Sequence, residues 1–436
     1  MTYRQLFRFV LTLGLLLSIP KAWAELKIES WNTGQGSKVL FVHSPELPMV
    51  DIEVTFDAGS ARDAGAQGLA NFTAALIGSA TQSQTEDQLA DGFNRLGAQF
   101  SGSASRDSAS FNLRTLSREE ALTPAFDQFV SVLSQAKFEP DIVERERQRL
   151  ILGIKQQSTQ PQAVLNNQLW KSLYAKHPYS HPTSGSEKTI KALKLAQLEG
   201  FYQTYYTAQN AVIALVGNVS LEQAKVLAQR LSVALPQGKK PTALPIPKAL
   251  NRAQSVLKDF PSSQTYYALA QLGVERGHPD YIPLFVGNHL LGGSGFGSFL
   301  MEEVREKRGL VYGVSSYFAP MKQPGPFVIS LSTKNASAKE AEEVVQQTLN
   351  QFLQDFPEER LQAIKENLVG GFALRMDSNS KILGYLSLIG FYDLPLDYLQ
   401  TFPKAVESVT KQQVLAAWQK QIQPNKMLSV MVGQPE

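Results

Sequence analysis

The sequence predicts an α+β protein of two homologous domains, each a mainly antiparallel sheet packed against helices. Three observations carry this expectation. Strands adjoin by short connections and helices follow them in pairs, which suits α+β architecture better than a strictly alternating parallel fold. A repeat with a period of about 215 residues sets Phe111-Asn112-Leu113-Arg114 against Phe327-Val328-Ile329-Ser330, Phe138-Glu139-Pro140 against Phe356-Pro357-Glu358, and Asn210 through Gly217 against Asn425 through Gly433. That period is far beyond the ~20–50 residues of a solenoid unit. The 436 residues also suffice for more than one core at roughly 100–200 residues per domain.

Taken in chain order, Arg4 and Arg8 precede an apolar run from Phe9 to Ile19, followed by Pro20 and Ala22-Trp23-Ala24. This is the pattern of a secretory signal peptide over residues 1–24; the run is short of the ~20 residues of a membrane span. An uncleaved N-terminal anchor is the alternative reading. Cleavage removes Arg4, Arg8 and Lys21 and no acid, so the 42 basic residues fall to balance the 39 acidic ones. A neutral chain has no electrostatic footprint for nucleic acid, and no later run approaches a transmembrane span. The absence of cysteine excludes disulfides, thiolate metal sites and a cysteine nucleophile.

The first domain is expected over residues 25–235. Val50, Ile52, Val54 and Phe56 alternate with Asp51, Glu53, Thr55 and Asp57, a strand with one face buried. Thr85 with Gln88, Ser117 with Glu120, and Ser337 with Glu340 have the spacing of capping boxes, and Gly97 suits a helix C-cap. Pro236, Pro241, Pro245 and Pro247 cannot sustain a helix or central strand, so a Pro-rich linker is placed at 236–252. The second domain follows at 253–436.

The chemistry concentrates in few places. Gly68-Leu69-Ala70-Asn71-Phe72-Thr73-Ala74-Ala75-Leu76 reads, alone, as a buried Ala-rich helix with Asn71 and Ala75 on one face by i, i+4 spacing. Val143-Glu144-Arg145-Glu146-Arg147 leads through to Gly153-Ile154. Leu291-Gly292-Gly293-Ser294-Gly295 and Gly297 precede Arg305-Glu306-Lys307-Arg308-Gly309-Leu310-Val311-Tyr312. These glycines have no following Lys-Ser/Thr and no βαβ unit, which argues against a nucleotide loop. Alone, Arg305 reads as a solvated ion-pair residue. His177 and His181 lie in a Pro-flanked stretch with no carboxylate before Glu187; they are the only paired histidines for a relocated metal site and are read as loop histidines.

Together these segments resemble the pitrilysin/insulinase family of inverted-motif zinc peptidases, which includes the mitochondrial processing peptidase. In that family a Gly-x-Ala stretch runs into H-x-x-E-H on a helix, whose two histidines bind zinc while the glutamate activates water. Here Asn71 and Ala75 stand at the histidines, Ala74 at the glutamate, and Gly153 at the third ligand, a glutamate some seventy to eighty residues on. The resemblance covers nearly the whole mature chain and implies one half of a four-domain, clam-shaped chamber. It further implies that Arg305 and Tyr312 hold the substrate backbone, and that Gly292, Gly293, Gly295 and Gly297 form a glycine-rich loop lining the peptide channel.

The expectation is therefore a chain inactive alone, with no metal or cofactor of its own, exported across the inner membrane to the periplasm. It would pair with a zinc-bearing paralogous subunit and position extended or unfolded peptides for that partner. A peptide-binding or scaffold protein with no peptidase partner is the alternative.

Overall fold

The computed structural model describes residues 26–436, so the segment read as a signal peptide lies outside the described residues. Six strands form the first sheet: β1 (Glu29–Asn32), β2 (Lys38–His43), β3 (Met49–Phe56), β4 (Gln99–Ala104), β5 (Ala109–Leu116) and β6 (Ala211–Gly217). Five form the second: β7 (Gln254–Asp259), β8 (Gln264–Leu272), β9 (Val311–Phe318), β10 (Pro326–Lys334) and β11 (Leu428–Gly433). Their orders are β1-β2-β6-β3-β5-β4 and β7-β11-β8-β10-β9. With β1 set aside the two orders coincide strand for strand. Each sheet has a single parallel pair, β2 with β6 and β7 with β11, and is otherwise antiparallel. The repeat seen in the sequence is thus a repeat of topology.

The alternation in β3 behaves as its period demands on one side only. Val50, Ile52, Val54 and Phe56 are fully buried under the helices of the first half. The opposite face was expected to meet water, yet Asp51, Thr55 and Asp57 are buried as well. The reason is an exchange between halves. The Asn379–Phe391 helix of the second half lies across β2, β3 and β6, and the Pro161–Tyr174 helix of the first half lies across β8 and β11. Each sheet is therefore covered on both faces, and one of its covers comes from the other half. Leu40, Val42, Ala214 and Val216 consequently join the core of the second half. Contact is close: a Cβ on Gly390 would come within 2.5 Å of Val212 Cγ1 and 2.6 Å of Leu40 Cδ1, so only glycine lets this helix approach the strands.

Some of the polar groups caught under these covers find partners, as burial favours, while Thr115 Oγ1, Asn379 Nδ2 and Ser387 Oγ have none among the described residues. Asp51 accepts from Arg114 Nε at 2.6 Å, and Arg114 also donates to Ser380 on the exchanged helix. The Thr85–Gln88 capping box forms, and Gly97 follows its helix with φ +63°. The other two expected boxes do not. The Glu119–Ser134 helix starts one residue later than expected, because Ser117 N–H is held by Pro48 O at 2.9 Å and Arg118 becomes the N-cap. Ser337 ends a short 3-10 turn running straight into the Ala338–Gln354 helix, so it lacks the extended backbone that lets a side chain cap. Residues 236–250 carry no regular structure but are tied down, with Thr242 O accepting from Arg62 and Pro245 O bonded to His177 Nε2. No helix of the described residues is long and apolar enough to cross a membrane.

Candidate functional site

The Leu69–Leu76 helix is anchored at its start by a residue that no motif announces. Asp63, fully buried as a side chain, accepts from Gly68 N and Ala70 N at 2.8 Å each, which satisfies donors at the helix N-terminus. Its Oδ2 also meets His181 Nε2 at 3.0 Å. This corrects the sequence reading: His181 does have a carboxylate, contributed from far upstream in the chain. His177 is buried too, between Pro245 O and Tyr179 N, and burial lowers its pKa below the ordinary imidazole value. Neither is a free loop histidine, and neither joins two further ligating side chains.

On the helix itself Asn71 and Ala75 are half-buried and Ala74 is buried. The Pro140–Ser158 helix packs against it, and Gly153 has open space where a side chain would begin. Buried Glu146 is engaged elsewhere, at 2.7 Å from Arg149 and 3.4 Å from Arg145. Arg147 lies 5.3 Å over the Phe72 ring. A zinc ion does not fit this donor set: one amide, two methyl groups and a glycine offer no carboxylate and no imidazole. Among the described residues no group of three His, Cys, Asp or Glu side chains is placed to hold a metal. The purified chain is expected to retain no stoichiometric zinc by elemental analysis. One zinc per chain would contradict this donor set. The fourfold variant Asn71→His, Ala74→Glu, Ala75→His, Gly153→Glu is expected to take up zinc, since the space at 153 is open.

Arg305 and Tyr312 are brought together. Arg305 lies in a π-helical segment, Met301–Glu306, and Tyr312 on β9, the edge strand of the second sheet. The guanidinium carbon sits 5.2 Å from the Tyr312 ring centroid and 4.6 Å from that of Phe296. Lys307 and Arg308 occupy the carboxylates of Glu302 and Glu303, so Arg305 stacks between rings instead of joining that ion-pair cluster. Register between β9 and β10 slips at this point: Val314 faces Leu331 while Val311 faces Thr333, which sets Tyr312 and Gly313 against one residue. Such a bulge bends the strand and re-aims its side chains. Tyr312 is 89 % exposed, its hydroxyl free to donate. A fork of guanidinium donors beside a phenol suits a peptide carbonyl or a developing oxyanion.

The four glycines do not form one loop. Gly292 and Gly293 belong to a π-helical turn, His289–Gly293, and a Cβ on Gly292 would strike Ser316 Oγ at 2.6 Å, so that glycine serves close packing. Only Gly295 and Gly297, at φ +69° and +106° with open space beside them, form a turn at the surface. Arg360 Nη2 holds Gly297 O at 2.7 Å.

A polar cluster between the halves escaped the sequence entirely. Asp57 receives Arg62 Nε and Nη2 at 2.8 and 2.7 Å and Lys322 Nζ at 2.6 Å. Asp107 receives Tyr179 Oη, Tyr392 Oη at 3.0 Å and Lys322 N at 2.8 Å. Burial pushes the pKa of both tyrosines up, so their hydroxyls stay protonated donors.

Two strand-for-strand equivalent domains, with a short helix at the place of a zinc motif and an arginine–tyrosine pair in the second half, define a zinc-peptidase-like chain. It belongs to the insulinase family, peptidase family M16. The description "Insulinase (Peptidase family M16)" matches residues 38–187, and "Peptidase M16 inactive domain" matches residues 192–368. A crystal structure of a peptidase M16 inactive domain from Pseudomonas fluorescens superposes with a TM-score of 0.91 at 39% identity, covering 94% of this chain and 98% of that one. An uncharacterized zinc protease, YmxG, of Bacillus subtilis is 25% identical over 81% of this chain and 86% of its own length. A Helicobacter pylori protein described as "Non-peptidase homolog YmxG" is 23% identical over 86% of this chain and 87% of its own length.

Proposed function

We propose that this chain is the non-catalytic subunit of a periplasmic, heterodimeric zinc metallopeptidase, holding extended or unfolded peptides for cleavage by a zinc-bearing paralogue. The observation that carries the proposal is the contrast within one chain. The helix at residues 69–76 has no ligands, whereas Tyr312, 89 % exposed on a bulged edge strand, and Arg305 stacked on it remain presented outward. Inside a single chain with no metal these donors have no charge to stabilise; across an interface they reach substrate held at another subunit's zinc. The match to an inactive-domain family and the non-peptidase description of one relative support a member without its own chemistry. Two domains would form half of a closed chamber, the partner the other half, and peptides would bind extended by main-chain pairing.

The test is co-expression, with its native export signal, beside a paralogue bearing an intact H-x-x-E-H helix. The two chains are expected to co-elute on size-exclusion chromatography, and a long unfolded peptide to be cut only when both are present. Full activity of the paralogue alone, or separate elution, overturns the proposal.

A further inference from the structure

A second polar constellation, with neither Arg305 nor Tyr312 in it, lies where the π-helical turn His289–Gly293 meets the end of the Glu358–Gly370 helix and the 3-10 turn Phe372–Arg375. His289, Ser294, Asn367 and Arg375 converge there on a cavity of about 250 Å³. That is below the ~300–1,000 Å³ of pockets for drug-sized ligands, so its occupant is small. Arg375 brings a charge that nothing nearby answers. Asp377 pairs with Lys381 and Asp280 with Lys420, and the Arg375 guanidinium carbon lies instead 5.9 Å from the Phe285 ring centroid. Arg276 is placed likewise, 5.7 and 5.5 Å from the rings of Tyr281 and Tyr392, and its buried Nε has no partner. Tyr281 and Tyr398 feel the charge of both arginines. Among the described residues neither arginine has an ion-pair partner, so two free cations share one corner of the second half.

The donors and acceptors around the cavity fix the chemistry of what it takes. His289 Nδ1 meets Phe285 O at 3.1 Å; a carbonyl only accepts, so the ring proton sits on Nδ1. Burial, with the Arg375 charge beside it, lowers the His289 pKa below the ordinary imidazole value, which keeps the ring neutral and leaves Nε2 a bare acceptor. Helix ends present carbonyls that disfavour an anion, but here they are engaged: Ser294 Oγ donates to His289 O at 2.8 Å and Gly371 N to Asn367 O at 2.9 Å. The occupant must therefore bring negative oxygens for a guanidinium and one proton for an imidazole. Carboxylates and sulfate bring the first without the second at neutral pH. Phosphate monoesters, with a second pKa of about 6, have mostly lost that proton. Hydrogen phosphate has both.

We propose that this cavity binds inorganic phosphate, with Arg375 donating to two of its oxygens as a fork and His289 Nε2 accepting from its hydroxyl. Ser294 opens the turn that carries Phe296 onto Arg305, so the bound anion ties that turn to the one at Phe372–Arg375.

The test is isothermal titration calorimetry of the purified mature chain in Tris buffer at neutral pH, with sodium phosphate as the titrant. Saturable binding is expected, with slower hydrogen exchange across residues 289–297 and 371–376. Sodium sulfate and glycerol phosphate should bind at least about tenfold more weakly, since each sets an oxygen without a proton against Nε2. Arg375→Gln should weaken phosphate about tenfold or more. His289→Phe, which keeps a ring on Phe285 where the imidazole now lies at 4.5 Å, should bring phosphate down to the level of sulfate; circular dichroism checks that each variant folds. No saturation by millimolar phosphate overturns the proposal, as does sulfate that matches phosphate on the unaltered chain. Phosphate binding indifferent to Arg375→Gln overturns it too. Glycerol phosphate binding as tightly as phosphate would overturn the assignment to the free anion and make an ester the occupant.

Discussion

Peptide cleavage by the reconstituted pair is expected to fall by ~10²–10³ when Tyr312 of this chain is replaced by phenylalanine, the usual consequence of removing one transition-state donor. The substitution is clean. Phenylalanine keeps the ring on which Arg305 stacks at 5.2 Å, and Tyr312 is so exposed that stability should change by no more than about 0.5 kcal/mol. Arg305→Lys keeps the charge but loses the planar fork and should slow turnover in the same direction. Assembly by size-exclusion chromatography should be unchanged in both. Steady-state cleavage of a long unfolded peptide is the measurement. Turnover unaltered by either variant would leave this subunit as chamber wall alone.

Asp57→Ala is expected to cost about 3–5 kcal/mol of folding stability, because it strands buried cations. Arg62 is 8 % exposed as a side chain and loses both of its bonds to a carboxylate, keeping only Thr242 O; Lys322 loses its bond from the other half. Against a typical total of ~5–15 kcal/mol that is a large share. Lys322→Met should cost less, since Arg62 and Asp57 remain paired and the methionine can still rest near the Phe391 ring that Lys322 Nζ approaches at 4.2 Å. Denaturant melts of the two variants decide it: a loss below about 1 kcal/mol for Asp57→Ala would mean that water reaches Arg62 and replaces the carboxylate.

The sequence made the repeat, the α+β class and the helix without ligands legible, because each leaves a local trace: a period of two in Val50 to Phe56, glycine and alanine at fixed spacing around Asn71, and a duplicated helix start in which a phenylalanine leads a proline and a glutamate. Arg305 and Tyr312 were singled out only by the family resemblance of the segment that holds them, since Arg305 alone reads as a solvated ion-pair residue, and the bulge that aims Tyr312 outward left no sign. A bulge depends on the register with β10, which no single segment encodes. The burial of Asp51 and Thr55 was hidden for a similar reason. Alternation reports which face is apolar, not whether a helix from more than 300 residues away will cover the other. Asp57 and Lys322 lie 265 positions apart, and Asp63 and His181 lie 118 apart. Pairs of that kind carry no spacing signal.

The mutual covering of the sheets by the Pro161–Tyr174 and Asn379–Phe391 helices makes the polypeptide a clasp that should hold after its hinge is cut. Lys239 and Lys240 are exposed in the segment between the halves, so brief trypsin treatment should nick the chain there. The two fragments should nevertheless travel together through gel filtration and melt in one transition, because parting them would bare Leu40, Val42, Leu169 and Leu173 at once. Each apolar side chain of that size withdrawn from water contributes about 1.5–3 kcal/mol. Genetic truncation is the opposite case: either half made alone would present an uncovered sheet face of valine and leucine, and should be recovered as aggregate until its complement is supplied.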